Sequence, residues 1–339
     1  MIFAVFAYSR QGCRTAERIA ELLSAENVQK FTMEKFSMPD FLPIKKPSET
    51  FYGEKFSNSD AMIFVGSCGI AVRMIAPFVK NKKTDPAVLC VDELGHFVIP
   101  ILSGHIGGAN ALAVKIAEQL NGIPVVTTAT DINGKFSVDA WAAENGFSIS
   151  SMEAAKAVSA RILEESVPLC SRFPMIGELP RGTVEGDRGD LGILLSCYRE
   201  QPFETTLRLC PKVLHLGLGC RRDMAKEAIY AAVKQVFDEY HLDFGAVKCA
   251  ASIDLKKDEQ GLLAFCQEQR LPVDFYTAQQ LNAVPGQFTP SGFVSSVTGV
   301  DNVCERAAMV GADRIIVKKT ACSGVTVAVA EEYREVSFG

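Results

Sequence analysis

Through its first third the chain alternates short apolar runs with stretches whose apolar side chains recur at helical spacing, and few folds accept that alternation. Strand candidates are residues 2–7, 62–65, 88–91, 97–101 and 124–127. Between them Ala16, Ile19, Ala20 and Leu23 share one helical face, and Leu112, Ile116 and Leu120 share another. Asn121-Gly122 is placed to close that second helix. Such an order builds a parallel sheet flanked by helices. One pair departs from it: only DELGH, with Gly95, separates residues 88–91 from 97–101, which predicts a hairpin and therefore a mixed sheet.

The pattern weakens over residues 150–211, where a helix-like stretch leads into the turn-rich SRFPMIGELPRGTVEGDRGD, read as a small middle module. A second alternating unit opens with VLHLGLG at Val213, and Ile229, Val233, Val236 and Phe237 then share one helix face. It closes with an antiparallel pair, residues 314–318 and 325–330, joined by a short loop containing Gly324. The expectation is an α/β protein of two lobes with mixed sheets flanked by helices, divided as residues 1–135, 136–211 and 212–339.

Composition narrows the function. A net charge of −5 leaves no general basic face for nucleic-acid phosphates, so the expected partner is a small molecule or another protein. Eleven cysteines, an odd number without a CxxC pair in a chain of 339 residues, fit a reducing cytoplasm better than a disulfide framework or a zinc site. The opening MIFAVFAY is apolar but followed at once by Arg10, and reads as a first strand, not a membrane span or export signal. Basic doublets at Lys45/Lys46, Lys82/Lys83, Arg221/Arg222, Lys256/Lys257 and Lys318/Lys319 are, singly, ordinary solvated features.

The strongest local signal is LSGHIGGAN at residues 102–110, where an apolar strand runs through Ser103, Gly104, His105, Gly107 and Gly108 into an amphipathic helix. Glycines allow close backbone approach, and the N–H groups of a helix start favour a carboxylate or a developing oxyanion. Beside that positive end, His105 is expected to stay neutral and to serve as a general base. The plain alternative is a histidine that only packs the turn. Ser103 is a weaker catalytic candidate, lacking a nucleophile-elbow pattern.

Two further strand ends are expected to converge on this turn: GSCGIAVR at residues 66–73 and TTATD at residues 127–131. Ser67, Gly69 and Arg73 can hold substrate carboxylates, and Asp131 can orient a base or protonate a leaving group. Gly69 and Asp131 also suit helix caps. Glu93 and His96, in the hairpin turn, rank lower. In the second unit GLGCRR lacks the third glycine of a dinucleotide turn. Gly217 and Gly219 still permit close approach, and Arg221 and Arg222, expected at a helix start, suit carboxylates. Lys256, in SIDLKKDE, is as well explained by a capped, charged helix face.

Taken in order, GSCGIAVR, LSGHIGGANALA, TTATD, LGLGCRR, SIDLKKDE, SGFVSSVTGV and CSGVTVAVAE resemble the cobalt-precorrin-5A hydrolase (CbiG) family over nearly the entire chain, least in the middle module. The resemblance implies opening of the ring-A δ-lactone of cobalt-precorrin-5A and loss of a two-carbon fragment as acetaldehyde, giving cobalt-precorrin-5B. It implies a tetrapyrrole substrate that carries its own cobalt, no separate cofactor or protein-bound metal, a cytoplasmic setting and transient contact with neighbouring pathway enzymes. The competing readings are a non-catalytic corrinoid carrier, and a phosphate- or nucleotide-using transferase, which lacks GxxxxGK[ST] and a complete GxGxxG.

Overall fold

β1 (Ile2–Ala7) alternates its side chains between two cores: Phe3, Val5 and Ala7 enter one, Ala4 and Phe6 the other. A strand buried on both faces needs a helical layer on each side. The computed structural model, which describes residues 1–81, 84–105 and 107–338, supplies them. The Lys82/Lys83 doublet and Ile106 of the glycine-rich turn lie outside the described residues, as do the side chains of residues 293 and 294. The chain forms two compact units, Met1–Ala140 and Trp141–Gly339.

In the first unit the remaining elements are α1 (Arg10–Leu22), β2 (Asn27–Thr32), β3 (Phe41–Pro43), α2 (Ser48–Asn58), β4 (Ala61–Val65), α3 (Cys68–Ile75), β5 (Ala87–Val91), β6 (Phe97–Leu102), α4 (Ala109–Leu120), β7 (Ile123–Pro124), α5 (Ala129–Ile132) and α6 (Val138–Glu144). The strands make one seven-stranded sheet in the order β3-β2-β1-β4-β5-β6-β7. α1 and α4 supply Ala16, Ile19, Ala113 and Ile116 to one face. Phe51, Tyr52 and Phe56 of α2 pack on the other against Phe6, Phe31 and Phe64.

β1 to β5 run parallel to their neighbours, but β6 is antiparallel to β5, with Val91 beside Val98 and Val88 beside Leu102. The expected hairpin is therefore present. β7 then pairs parallel to β6 through Phe97–Ile123 and Val98–Pro124. Chain leaving β6 and β7 consequently emerges at the amino ends of β1, β4 and β5.

The second unit carries two five-stranded sheets. β8 (Phe147–Ile149), α7 (Met152–Glu164), β9 (Val167–Ser171), β10 (Met175–Ile176), β11 (Thr183–Glu185), β12 (Leu191–Leu195) and β13 (Thr205–Pro211) give the first, ordered β11-β9-β12-β13-β8, with β10 paired elsewhere. The second is built from β14 (Leu214–Cys220), α8 (Lys226–Glu239), β15 (Val247–Ile253), α9 (Gln260–Glu268), β16 (Val273–Tyr276), α10 (Ala278–Ala283), α11 (Gly292–Thr298), α12 (Val303–Met309), β17 (Arg314–Cys322) and β18 (Val325–Glu331), ordered β16-β15-β14-β18-β17. β17 and β18 are the expected antiparallel pair. A last strand, β19 (Val336–Ser337), pairs with β10. Among the described residues no helix is long and apolar enough to cross a membrane.

Candidate functional site

The turn between β6 and α4 is closed by its own backbone. Gly108 takes φ +77 as the residue before α4, a conformation glycine adopts without steric cost. Its N–H donates to the His105 carbonyl at 2.8 Å, while the N–H groups of Ala109 and Asn110 donate to the carbonyls of Ser103 and Gly104 at 3.1 and 2.9 Å. This corrects the expectation of an anion cradle here: three of the donors that would make one are spent inside the turn. Gly104 and Gly107 serve packing. A Cβ on Gly107 would lie 2.3 Å from Ser103 Cβ, and one on Gly104 would meet Asn110 Oδ1 at 2.8 Å.

The close turn directs His105 into a cluster of polar side chains. Its Nε2 lies 3.1 Å from Asp131 Oδ2 and 3.3 Å from Thr130 Oγ1; its Nδ1 lies 3.2 Å from Asp139 Oδ1. Asp131 and Thr130 stand on α5, reached by the parallel exit from β7, so TTATD does converge on the turn. Asp139 stands in the first turn of α6 with its side chain only 6% exposed, whereas that of Asp131 is 33% exposed. Asn110 Nδ2 donates to Asp131 Oδ2, the same oxygen that faces His105, at 2.7 Å and to Thr128 Oγ1 at 2.9 Å.

These neighbours act in the direction opposite to the one expected for His105 from the helix start. The hydrogen bond to Asp139, with the charges of Asp139 and Asp131, raises the imidazole pKa above its ordinary value, although burial opposes the shift. A helix dipole contributes a fraction of a charge, and two carboxylates in contact with the ring outweigh it. The protonated form of His105 is thus favoured by its place between an enclosed and an accessible carboxylate.

The other sequence candidates separate from this cluster. Ser103, at φ +58 and buried, donates its hydroxyl to the Asp85 carbonyl at 3.0 Å. Ser67, Gly69 and Arg73 follow β4, whose carboxyl end lies at the opposite edge of the sheet because of the β5–β6 hairpin; the five-residue strand puts about 15 Å between the two ends. Ser67 precedes α3 as its cap residue, and Arg73 is exposed in its last turn. Glu93 accepts a hydrogen bond from Ser9 Oγ at 2.6 Å near that same carboxyl edge.

In the second unit Gly217 has a packing role: a Cβ there would lie 1.9 Å from the Cys304 carbonyl oxygen of α12. A Cβ on Gly219 would sit 2.5 Å from Thr326 Oγ1. Arg221 and Arg222 precede α8, which begins at Lys226, so they lie in the turn and not at the helix start; both are exposed. Lys256 is paired with Glu259 at 2.9 Å, in a short turn ahead of α9. Asn110, Thr130 and Asp139 were given no role from sequence, yet Asn110 interrupts the buried apolar stripe Ala109, Ala113, Ile116, Ala117 and Leu120, the one local signal that could have marked it.

Fold and cluster define the class: an α/β protein with a histidine–carboxylate cluster at a strand-to-helix turn. Comparison with known proteins then gives the particular family. Residues 50–131 match the cobalamin synthesis G N-terminal domain, and residues 214–330 match the cobalamin synthesis G C-terminus. A cobalt-precorrin-5A hydrolase of Priestia megaterium is 31% identical over 97% of this chain and 94% of its own. That of Salmonella typhimurium is 33% identical over 90% of each chain. The crystal structure of a cobalamin biosynthesis protein G homologue from Sulfolobus solfataricus aligns with a TM-score of 0.41 at 21% identity, covering 98% of this chain and 97% of that one. The chain belongs to the cobalamin synthesis G (CbiG) family.

Proposed function

We propose that the protein is a cobalt-precorrin-5A hydrolase, opening the ring-A δ-lactone with one water and releasing a two-carbon fragment as acetaldehyde to leave cobalt-precorrin-5B. Likeness to relatives bearing that name over 90% or more of the chain carries the reaction. The contact between His105 and the accessible Asp131 supports the site.

Asp131 takes a proton from water as the water oxygen adds to the lactone carbonyl. His105 gives its Nε2 proton to the alkyl oxygen as the carbon–oxygen bond breaks, leaving an acid and an alcohol. Asp131 then holds one proton more and His105 one fewer, and transfer across their 3.1 Å contact restores both. Acetaldehyde leaves when the new hydroxyl gives up its proton and its carbon–carbon bond to the macrocycle breaks, the macrocycle keeping the electron pair and later taking a proton. Cobalt enters and leaves as part of the substrate, and no further cofactor is assigned.

Arg221 and Arg222, exposed beyond β14, are assigned to substrate carboxylates, a role Arg fulfils through its planar fork. Ser67, Gly69 and Arg73 stay outside the reaction site, and Lys256 is already paired. The reading includes a cytoplasmic setting and transient contact with neighbouring pathway enzymes. Its test is anaerobic turnover with His105→Ala and Asp131→Asn in parallel with the parent chain. Each variant is expected to lose roughly 10²- to 10⁴-fold in acetaldehyde release. Full turnover by His105→Ala removes the acid–base assignment, and tight binding without release by the parent chain supports the carrier reading instead.

A further inference from the structure

Asp139 is the most enclosed charged group of the cluster. Its residue is 4% exposed, and its Oδ1 accepts from the Ala140 N–H at 3.1 Å and from Ser137 Oγ at 3.3 Å as well as facing His105 Nδ1 at 3.2 Å. It lies beyond the stretch matched by the N-terminal family domain, and no sequence motif marks it. Asp131, by contrast, faces the opposite ring nitrogen from a part-exposed position. The ring is therefore fixed from behind and loaded from in front.

We propose that Asp139 is a positioning residue: it orients the imidazole through Nδ1 and keeps the ring doubly protonated, so that the Nε2 proton always faces Asp131 and the leaving oxygen. The deduction rests on the acid–base reading above, and it fixes the direction of proton flow within it. The Thr130 hydroxyl also faces Nε2, at 3.3 Å, but the carboxylates of Asp131 and Asp139 only accept, so a neutral ring would lose one of its two donations to carboxylate. Among the described residues those two, on α5 and α6, are the charged groups recorded against the ring, and both raise its pKa. Asp139 need not touch substrate; it acts through His105, as the buried carboxylate of a Ser-His-Asp triad acts through its imidazole.

The test pairs ring titration with turnover. Nitrogen-15 NMR of the imidazoles, with the His105 signal assigned by its loss in His105→Gln, should show both ring nitrogens protonated at pH 7 in the parent chain. In Asp139→Asn the titration midpoint should fall. The same variant should lose roughly 10²- to 10⁴-fold in kcat with KM nearly unchanged, and the alkaline limb of its pH profile should move to lower pH. A folded Asp139→Asn with the parent's midpoint and kcat overturns the proposal. So does a neutral His105 in the parent chain at pH 7, a result that does not depend on the variant folding. Ring titration needs no substrate, so a parent chain that releases no acetaldehyde removes the hydrolase reading without touching the imidazolium clamp.

Discussion

His105 sits between carboxylates on both ring nitrogens, so its protonation has consequences for stability as well as for chemistry. A group whose folded pKa is raised stabilises the fold fully below its unfolded pKa and loses that contribution as pH rises through the folded value. The parent chain should therefore outlast His105→Gln in chemical denaturation by a margin that is greatest in mildly acid buffer and shrinks as pH rises past the elevated midpoint; a margin that grows with pH contradicts the assignment. Asn110→Ala removes the donor that holds Asp131 and should lower kcat about 10-fold or more while leaving KM within a few-fold, read from steady-state turnover. His105 and Asp131 were legible in the sequence because one lies among glycines at a strand-to-helix turn and the other ends a neighbouring strand pattern. Asp139 was not, since a carboxylate in the first turn of a helix is ordinary until something is seen to face it. The direction in which the His105 pKa moves was misread for the same reason: its local neighbour, a helix start, was visible, and the distant carboxylates were not.

Connections decide what each element can contribute. The hairpin joining β5 to β6 reverses the chain, so the glycine-rich turn leaves the sheet at the end opposite to GSCGIAVR. That separation was already implicit in the hairpin pattern; expecting both loops to meet treated every strand as parallel. Glycines were harder to read. Both a ligand and a crossing helix demand a bare backbone, and the sequence of GLGCRR does not distinguish them, whereas the approach of Cys304 to Gly217 does. Gly217→Ala should force α12 away from β14 and cost about 1–3 kcal/mol or more. Calorimetry should show a fall in Tm of several degrees; an unchanged Tm contradicts close packing there. At the other glycine-rich segment, Gly107→Ala must displace the backbone of Ser103, and its expected outcome is lost turnover with most of the far-UV signal retained.

On the scale of the whole molecule, the sequence pattern divides the chain at residues 135 and 211, while its compact units are Met1–Ala140 and Trp141–Gly339, the second holding the middle sheet and the last sheet together. Alternation of apolar runs revealed the outer stretches; the middle one, with turn formers between short strands, gave no periodicity from which to read its five-stranded sheet. Among the basic doublets of a chain with net charge −5, the exposed Arg221/Arg222 turn is the one made of two guanidinium forks, which suit a polycarboxylate. Replacing both by Ala should raise KM about 10-fold or more with kcat little changed, and an unchanged KM removes these residues from substrate binding. The central claim is the reaction itself. Purified protein incubated anaerobically with cobalt-precorrin-5A should release one acetaldehyde per substrate consumed, with cobalt-precorrin-5B identified by mass; substrate bound and recovered intact, with no acetaldehyde, would contradict it.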